Sequence, residues 1–283
     1  MSTPEATETA GAVLTRRVVA RNDALKSENR IHDDRVAAEF GFRGGLVPGV
    51  TVYTYLSALP AVHWGRDWLE RGTMSARFVQ PVYDGEEIEL RLVASPEGKS
   101  ELEALGPGGD VRARGTATLP APDAAPPPPA VPAAVALPGP DARPPAEPAV
   151  LETITIGSYD RTWTAEGQEE LLAAVGEPSG SWPFPQLAHP GWLIRGANDV
   201  LSRSVRLGPW IHVSSDTTHH GTVTEGQLVS TRGSVTRVFE RKGHDFVELD
   251  VVVTAEEAPV WSVRHVAIYR PRPVSSGTDA RPA

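Results

Sequence analysis

The chain of 283 residues contains no cysteine. That excludes disulfides, thiolate zinc sites and a cysteine nucleophile. It has no excess of positive charge: the formal net charge is −9, which opposes a general nucleic-acid partner, because such binding needs a basic face to displace counterions. It has no long uninterrupted apolar run, so no transmembrane helix and no membrane partner is expected. The opening "MSTPEATETAGAV" lacks both a basic n-region and an apolar core, so it reads as a short disordered tail rather than a signal peptide. The ending "PVSSGTDARPA" reads the same way. These absences fit a cytoplasmic protein. Hydrophobic residues at 40 % and charged residues at 22 % are ordinary for a globular chain, and the length suits two domains.

Proline is abundant and unevenly placed. Nearly half of the 27 prolines lie between Pro120 and Pro148. Neither a helix interior nor a central strand tolerates such a run, so residues 120–149 are read as a semi-rigid, partly polyproline spacer. It separates an N-terminal unit, 11–119, from a C-terminal unit, 150–273. The units share landmarks. Pro48-Gly49 recurs as Pro190-Gly191, and Asp84-Gly85 recurs as Glu225-Gly226, at nearly one offset. Two landmarks at a common offset point to an internal duplication.

Each unit repeats one pattern. A Pro-Gly opens an apolar helix, with Val52, Tyr55, Leu56, Leu59 and Val62 at helical spacing in the first and Ile194, Ala197, Leu201 and Val205 in the second. Alternating strands follow, among them "EEIELRL", with Ile88, Leu90 and Leu92 on one face. One long buried helix and an antiparallel meander make an α+β layer fold. In "PWIHVSSDTTHH", His212, His219 and His220 lack metal-ligand spacing and are expected on a strand surface. Trp64, Trp68, Trp192 and Trp210 are expected in the core or at the unit interface.

The stretch "ENRIHDDRVAAEFGFRGGLVPGV" and the following "RFVQPVYDGEEIEL" resemble the core of the MaoC-like (R)-specific enoyl-CoA hydratases and dehydratases. The resemblance covers about Val18 to Leu92 and implies a hot-dog fold. With the weaker second copy, it implies a double hot-dog, a pseudo-dimer within one chain that could pair further as a homodimer. The implied ligand is an acyl thioester of coenzyme A or acyl carrier protein, and the implied chemistry is addition or removal of water with no cofactor and no metal. On the matching positions His32 is the proton carrier, and Asn29 orients or anchors the water. The backbone N–H groups of Gly49 and Val50 would receive the thioester oxygen. The family's catalytic Asp falls at Ser27, which has no carboxylate, so Glu28 is the candidate replacement if the chain is irregular there. Arg43, with Arg30 and Arg66, could meet coenzyme phosphates. Asp33 and Asp34 read as a helix cap and first-turn acid. The rivals are a non-catalytic acyl-thioester-binding or scaffolding protein, which the missing Asp favours, and a thioesterase, for which Asp67 and Glu70 are poorly placed.

Overall fold

The computed structural model describes residues 13–95 and 98–274. The sequence-read tails at 1–12 and 275–283 lie outside the described residues. Ten strands, β1 (Val13–Val19), β2 (Thr73–Phe78), β3 (Glu87–Ala94), β4 (Lys99–Leu105), β5 (Val111–Thr118), β6 (Tyr159–Thr162), β7 (Ile211–His219), β8 (Leu228–Arg241), β9 (His244–Ala255) and β10 (Ala258–Arg270), form a single sheet. Its order is β1-β3-β4-β5-β2-β7-β10-β9-β8-β6. The order is a palindrome of the two units: the outer pair is β1 and β6, the inner pair β2 and β7. The inner strands join antiparallel from Thr73↔Thr218 to Arg77↔Ser214. Two repeats thus meet edge to edge, which hides an edge of each sheet.

Six helices accompany the sheet among the described residues: α1 (Asp34–Glu39), α2 (Gly49–Trp64), α3 (Arg66–Arg71), α4 (Pro148–Leu151), α5 (Ala165–Ala174) and α6 (Pro190–Ser204). Every residue of α2 from Val50 to Ala61 is buried, as its all-round apolar character requires. Ile88, Leu90 and Leu92 face it from β3, each fully buried. The core runs through both halves without a break, and Trp68, Trp192 and Trp210 lie in it, with Trp64 packed against it.

The two central helices touch. A Cβ on Gly191 would come within 2.2 Å of the Thr54 hydroxyl, so the crossing depends on a residue with no side chain. Gly191→Ala should therefore destabilise the chain by about 1–3 kcal/mol through overpacking, despite alanine's better helix propensity. Urea unfolding measures this. A more stable variant would show that the crossing has slack.

The proline-rich segment is extended and docked on the second unit. Val135 accepts at its carbonyl from the Ser158 N–H (2.7 Å), and its N–H donates to Ser158 Oγ (2.9 Å). Pro144 O accepts from Arg206 N, and Arg143 donates to Ser202 O.

The histidine reading of β7 needs correction. His212 and His219 are buried, and only His220 is partly open. His212, Ser214, Thr217 and His219 lie on the face of β7 turned to the core, where His212 meets Phe78 and His219 meets Trp68, while Asp216 on the other face is exposed. A polar-looking alternation does not reveal which face is inward.

Candidate active site

His32 ends a single 3-10 turn, Arg30–His32. Asn29 caps that turn, its Oδ1 accepting from Ile31 N at 3.3 Å. Asp33 then caps α1, accepting from the N–H groups of Arg35 and Val36. The backbone of His32 is fixed from two sides. Asn22 Nδ2 donates to its carbonyl (2.9 Å), and Gly45 lies so close that a Cβ there would sit 2.1 Å from the same oxygen. Close approach of the glycine-rich loop explains why Gly45 follows the motif.

Both ring nitrogens of His32 are engaged. Nδ1 lies 2.6 Å from Leu46 O and must carry the proton there, since a carbonyl only accepts. Nε2 is then the lone-pair nitrogen, 3.2 Å from Asn29 Nδ2. Burial holds the imidazole below its ordinary value, partly offset by the Leu46 bond, so His32 is neutral near pH 7. Asn29 spends its other valences across the unit junction. Its Nδ2 also donates to Trp210 O (2.9 Å), and its Oδ1 accepts from Trp210 N (3.1 Å). Asn29 is therefore a clamp and a positioner of His32 rather than a holder of water.

Helix α2 begins at Gly49 after Pro48, which offers no side-chain cap. The first N–H groups of a helix lack intrahelical partners, and those of Gly49 and Val50 have none elsewhere among the described residues. The second unit differs: His189 Nδ1 accepts from Gly191 N at 2.8 Å and closes its own helix end. Only the first helix end is thus open. Pro48 and Val50 line a cavity of about 550 Å3 that also receives His32, Asn29 and Ser27. Leu46, Val47 and Gly49 face a smaller, more apolar cavity of about 260 Å3 on the other side of the same loop.

Other sequence candidates lie elsewhere or act otherwise. Glu28 reaches the rim of the larger cavity, but its carboxylate accepts from Arg143 of the proline-rich segment (2.9 and 3.2 Å). That arginine holds it below the usual carboxylate range. It makes no hydrogen bond with His32: the chain is indeed irregular there, a turn and bend over residues 23–28, but it carries the carboxylate to Arg143 instead. Glu28→Gln should accordingly alter stability by less than about 1 kcal/mol and leave the chemistry of the cavity in place. A turnover loss on the order of 100-fold in steady-state kinetics would return Glu28 to the role of base. Ser27 Oγ only donates to Asn29 O (3.3 Å). Arg43 is absent from the cavity lining: it pairs with Glu86 and lies 4.1 Å over the Tyr83 ring. Arg30 and Arg66 pair with Asp33 and Glu70 on the surface, and Asp67 pairs with Arg71.

The cavity wall also holds polar residues that the motif reading passed over. Arg195, Asn198, Asp199, Ser202 and Arg203 of α6 all line it. Their spacing is i, i+3, i+4, i+7, i+8, a polar stripe along a buried helix, legible in the sequence as helical periodicity. Burial raises the Asp199 carboxyl, against the opposing pull of Arg161, Arg203 and Arg195. Asn198 Oδ1 is buried with no hydrogen-bond partner. No group of three or more metal-ligating side chains occurs among the described residues.

No family model matches the chain, and no curated protein matches it in sequence. Solved structures do match. A protein described as a MaoC domain dehydratase from Chloroflexus aurantiacus superposes with a TM-score of 0.59 at 11% identity, covering 93% of this chain and 96% of that one. A conserved Mycobacterium tuberculosis protein, essential for bacterial survival during infection and described as having a double hotdog fold, gives 0.56 at 15% identity over 92% and 96%. The fold is a MaoC-like double hot-dog. A protein described as an oleoyl thioesterase from Lactobacillus plantarum also matches, with a TM-score of 0.50 at 12% identity over 93% and 98%. The fold is therefore shared by neighbours described as dehydratases and as thioesterases, and the activity must be argued from the site. No helix among the described residues is long and apolar enough to cross a membrane.

Proposed function

We propose that the chain is an acyl-thioester hydratase or dehydratase, catalysing reversible addition of water across the 2,3-bond of a 2-enoyl thioester. The observation that supports it is the pairing of a neutral, oriented His32 with Val50 of the uncapped α2 end at a single cavity, with Gly49 one residue away at the wall between the two cavities. The thioester oxygen would accept from the N–H groups of Gly49 and Val50, where enolate charge develops. Helix α2 presents its positive end there. His32 Nε2 takes a proton from water as the oxygen adds to C3. The resulting imidazolium returns that proton to C2, so one residue serves as base and then acid. The water displaces only the long Asn29 contact at Nε2, and such contacts tighten or exchange in the bound complex. A second reading, thioester hydrolysis, is favoured by Asp199, a half-buried carboxylate in the same cavity. It would act on the water there in place of His32.

The pH profile separates the two. His32 must be neutral to act, and burial holds it below about 6.5. The rate of hydration, kcat/KM, should stay level from pH 8 to about 6.5 and decline only below. A fall already between pH 8 and 7 would contradict His32 as the base.

A further inference from the structure

We propose that the larger cavity is shaped for an acyl group ending in its own carboxylate, with Arg161 as the counter-ion; this rests on the acyl-thioester reading above. Four arginines line the cavity: Arg143, Arg161, Arg195 and Arg203. Three have acids. Arg143 pairs with Glu28 (2.9 Å), Arg195 with Asp23 (2.9 Å), and Arg203 approaches Asp199 (3.9 Å). Arg161 has no carboxylate within 4 Å among the described residues.

Yet Arg161 is held firmly. Its guanidinium lies 3.6 Å over the Trp192 ring, and Nη2 donates to Trp192 O at 2.7 Å. Its Nε is buried without a partner, as is that of Arg195. Burial lowers the pKa of Arg161, yet arginine stays charged in proteins. Arg161 is half-buried, with Asp199 as its nearest influence but no carboxylate in contact among the described residues; a desolvated charge without a contacting partner costs stability. Stacking on Trp192 fixes the plane of the fork and leaves donors over, which is the arrangement that receives a planar carboxylate.

The charge count also selects the ligand. The four arginines have three carboxylate partners, Glu28 and Asp199 in the cavity wall and Asp23 behind it, which leaves one positive charge and suits one carboxylate rather than a doubly charged phosphate. An uncharged alkyl end would leave Arg161 desolvated and unpaired, so the site rejects it.

Binding of saturated N-acetylcysteamine thioesters tests this, since that carrier has no phosphate and the ligands cannot be hydrated. Calorimetry should show the succinic and glutaric mono-thioesters binding at least about tenfold tighter than butanoyl and pentanoyl ones. The neutral succinamoyl analogue should bind like the alkyl ligands, a comparison that needs only the wild-type protein. Arg161→Met should erase the preference while sparing alkyl binding, and Arg161→Lys should restore part of it. Equal binding of charged and uncharged ligands overturns the proposal. So does an Arg161→Met effect confined to coenzyme A esters, which would assign the arginine to the carrier's phosphates. Carboxylate preference without hydration of any enoyl ester would leave this inference standing and sink the hydratase reading. Hydration without the preference would sink this inference alone.

Discussion

Lowering the pH from 7.5 to 5.5 should remove about 5 kcal/mol of folding stability, much of what a domain commonly has. The cause is four fully buried histidines. Burial holds His189, His219 and His265 down to about 3, and His212 well below its ordinary value. Their surroundings offer a proton no counter-charge. His212 and His265 stack at 4.1 Å and share Ser215 Oγ, while His219 lies against Trp68 and His189 against Trp182. No carboxylate pairs with any of them among the described residues. The unfolded chain takes up these protons near pH 6.5, and the folded chain does not. The unfolded state therefore binds more protons as pH falls, and stability drops below about 6.5. Each group costs about 1.4 kcal/mol by pH 5.5. Carboxylates such as Glu28, held low by Arg143, act in the same direction but only nearer pH 4. Urea unfolding midpoints across this range measure the effect. Midpoints that stay level would mean that the histidines charge in place.

Replacing His32 by glutamine should cut hydration about 100- to 10,000-fold, the usual cost of losing a positioned acid–base group. The amide can still donate to Leu46 O and keeps much of the ring's volume, so thermal unfolding should shift little. The loss should fall on kcat rather than KM, because His32 acts on the proton and not on thioester binding. Asn29→Ala should behave differently. It removes the positioner of His32 together with two bonds to the Trp210 backbone, so rate and stability should fall together. An unchanged kcat in His32→Gln would remove the histidine from the mechanism.

Much of the fold was legible because duplication prints itself twice. The Pro-Gly landmarks marked two buried helices, and strict alternation in "EEIELRL" marked β3. What stayed hidden depended on partners distant in sequence. Nothing near His212 says that its face of β7 packs against Phe78 and Trp68, so burial of its polar residues could not be read. Arg43 looked free because Glu86 lies across the fold. Glu28 looked like a spare base because Arg143 arrives from the proline-rich segment, 115 residues away. The motif itself is local: Asn29 and His32 are neighbours on one turn and share a cavity with Val50, while Gly49 faces the smaller cavity. The cavity's other wall, the polar stripe of α6 and the isolated Arg161, belongs to the second repeat. Only the meeting of the two units brings it opposite His32.

The most direct test is to supply a 2-enoyl N-acetylcysteamine thioester in water enriched in oxygen-18 and to locate the label by mass spectrometry. The account predicts a 3-hydroxyacyl thioester carrying one labelled oxygen at C3, loss of enoyl absorbance and no free thiol. Label in a released carboxylate, with an equal amount of free thiol and the double bond intact, would contradict it and assign the cavity to thioester hydrolysis.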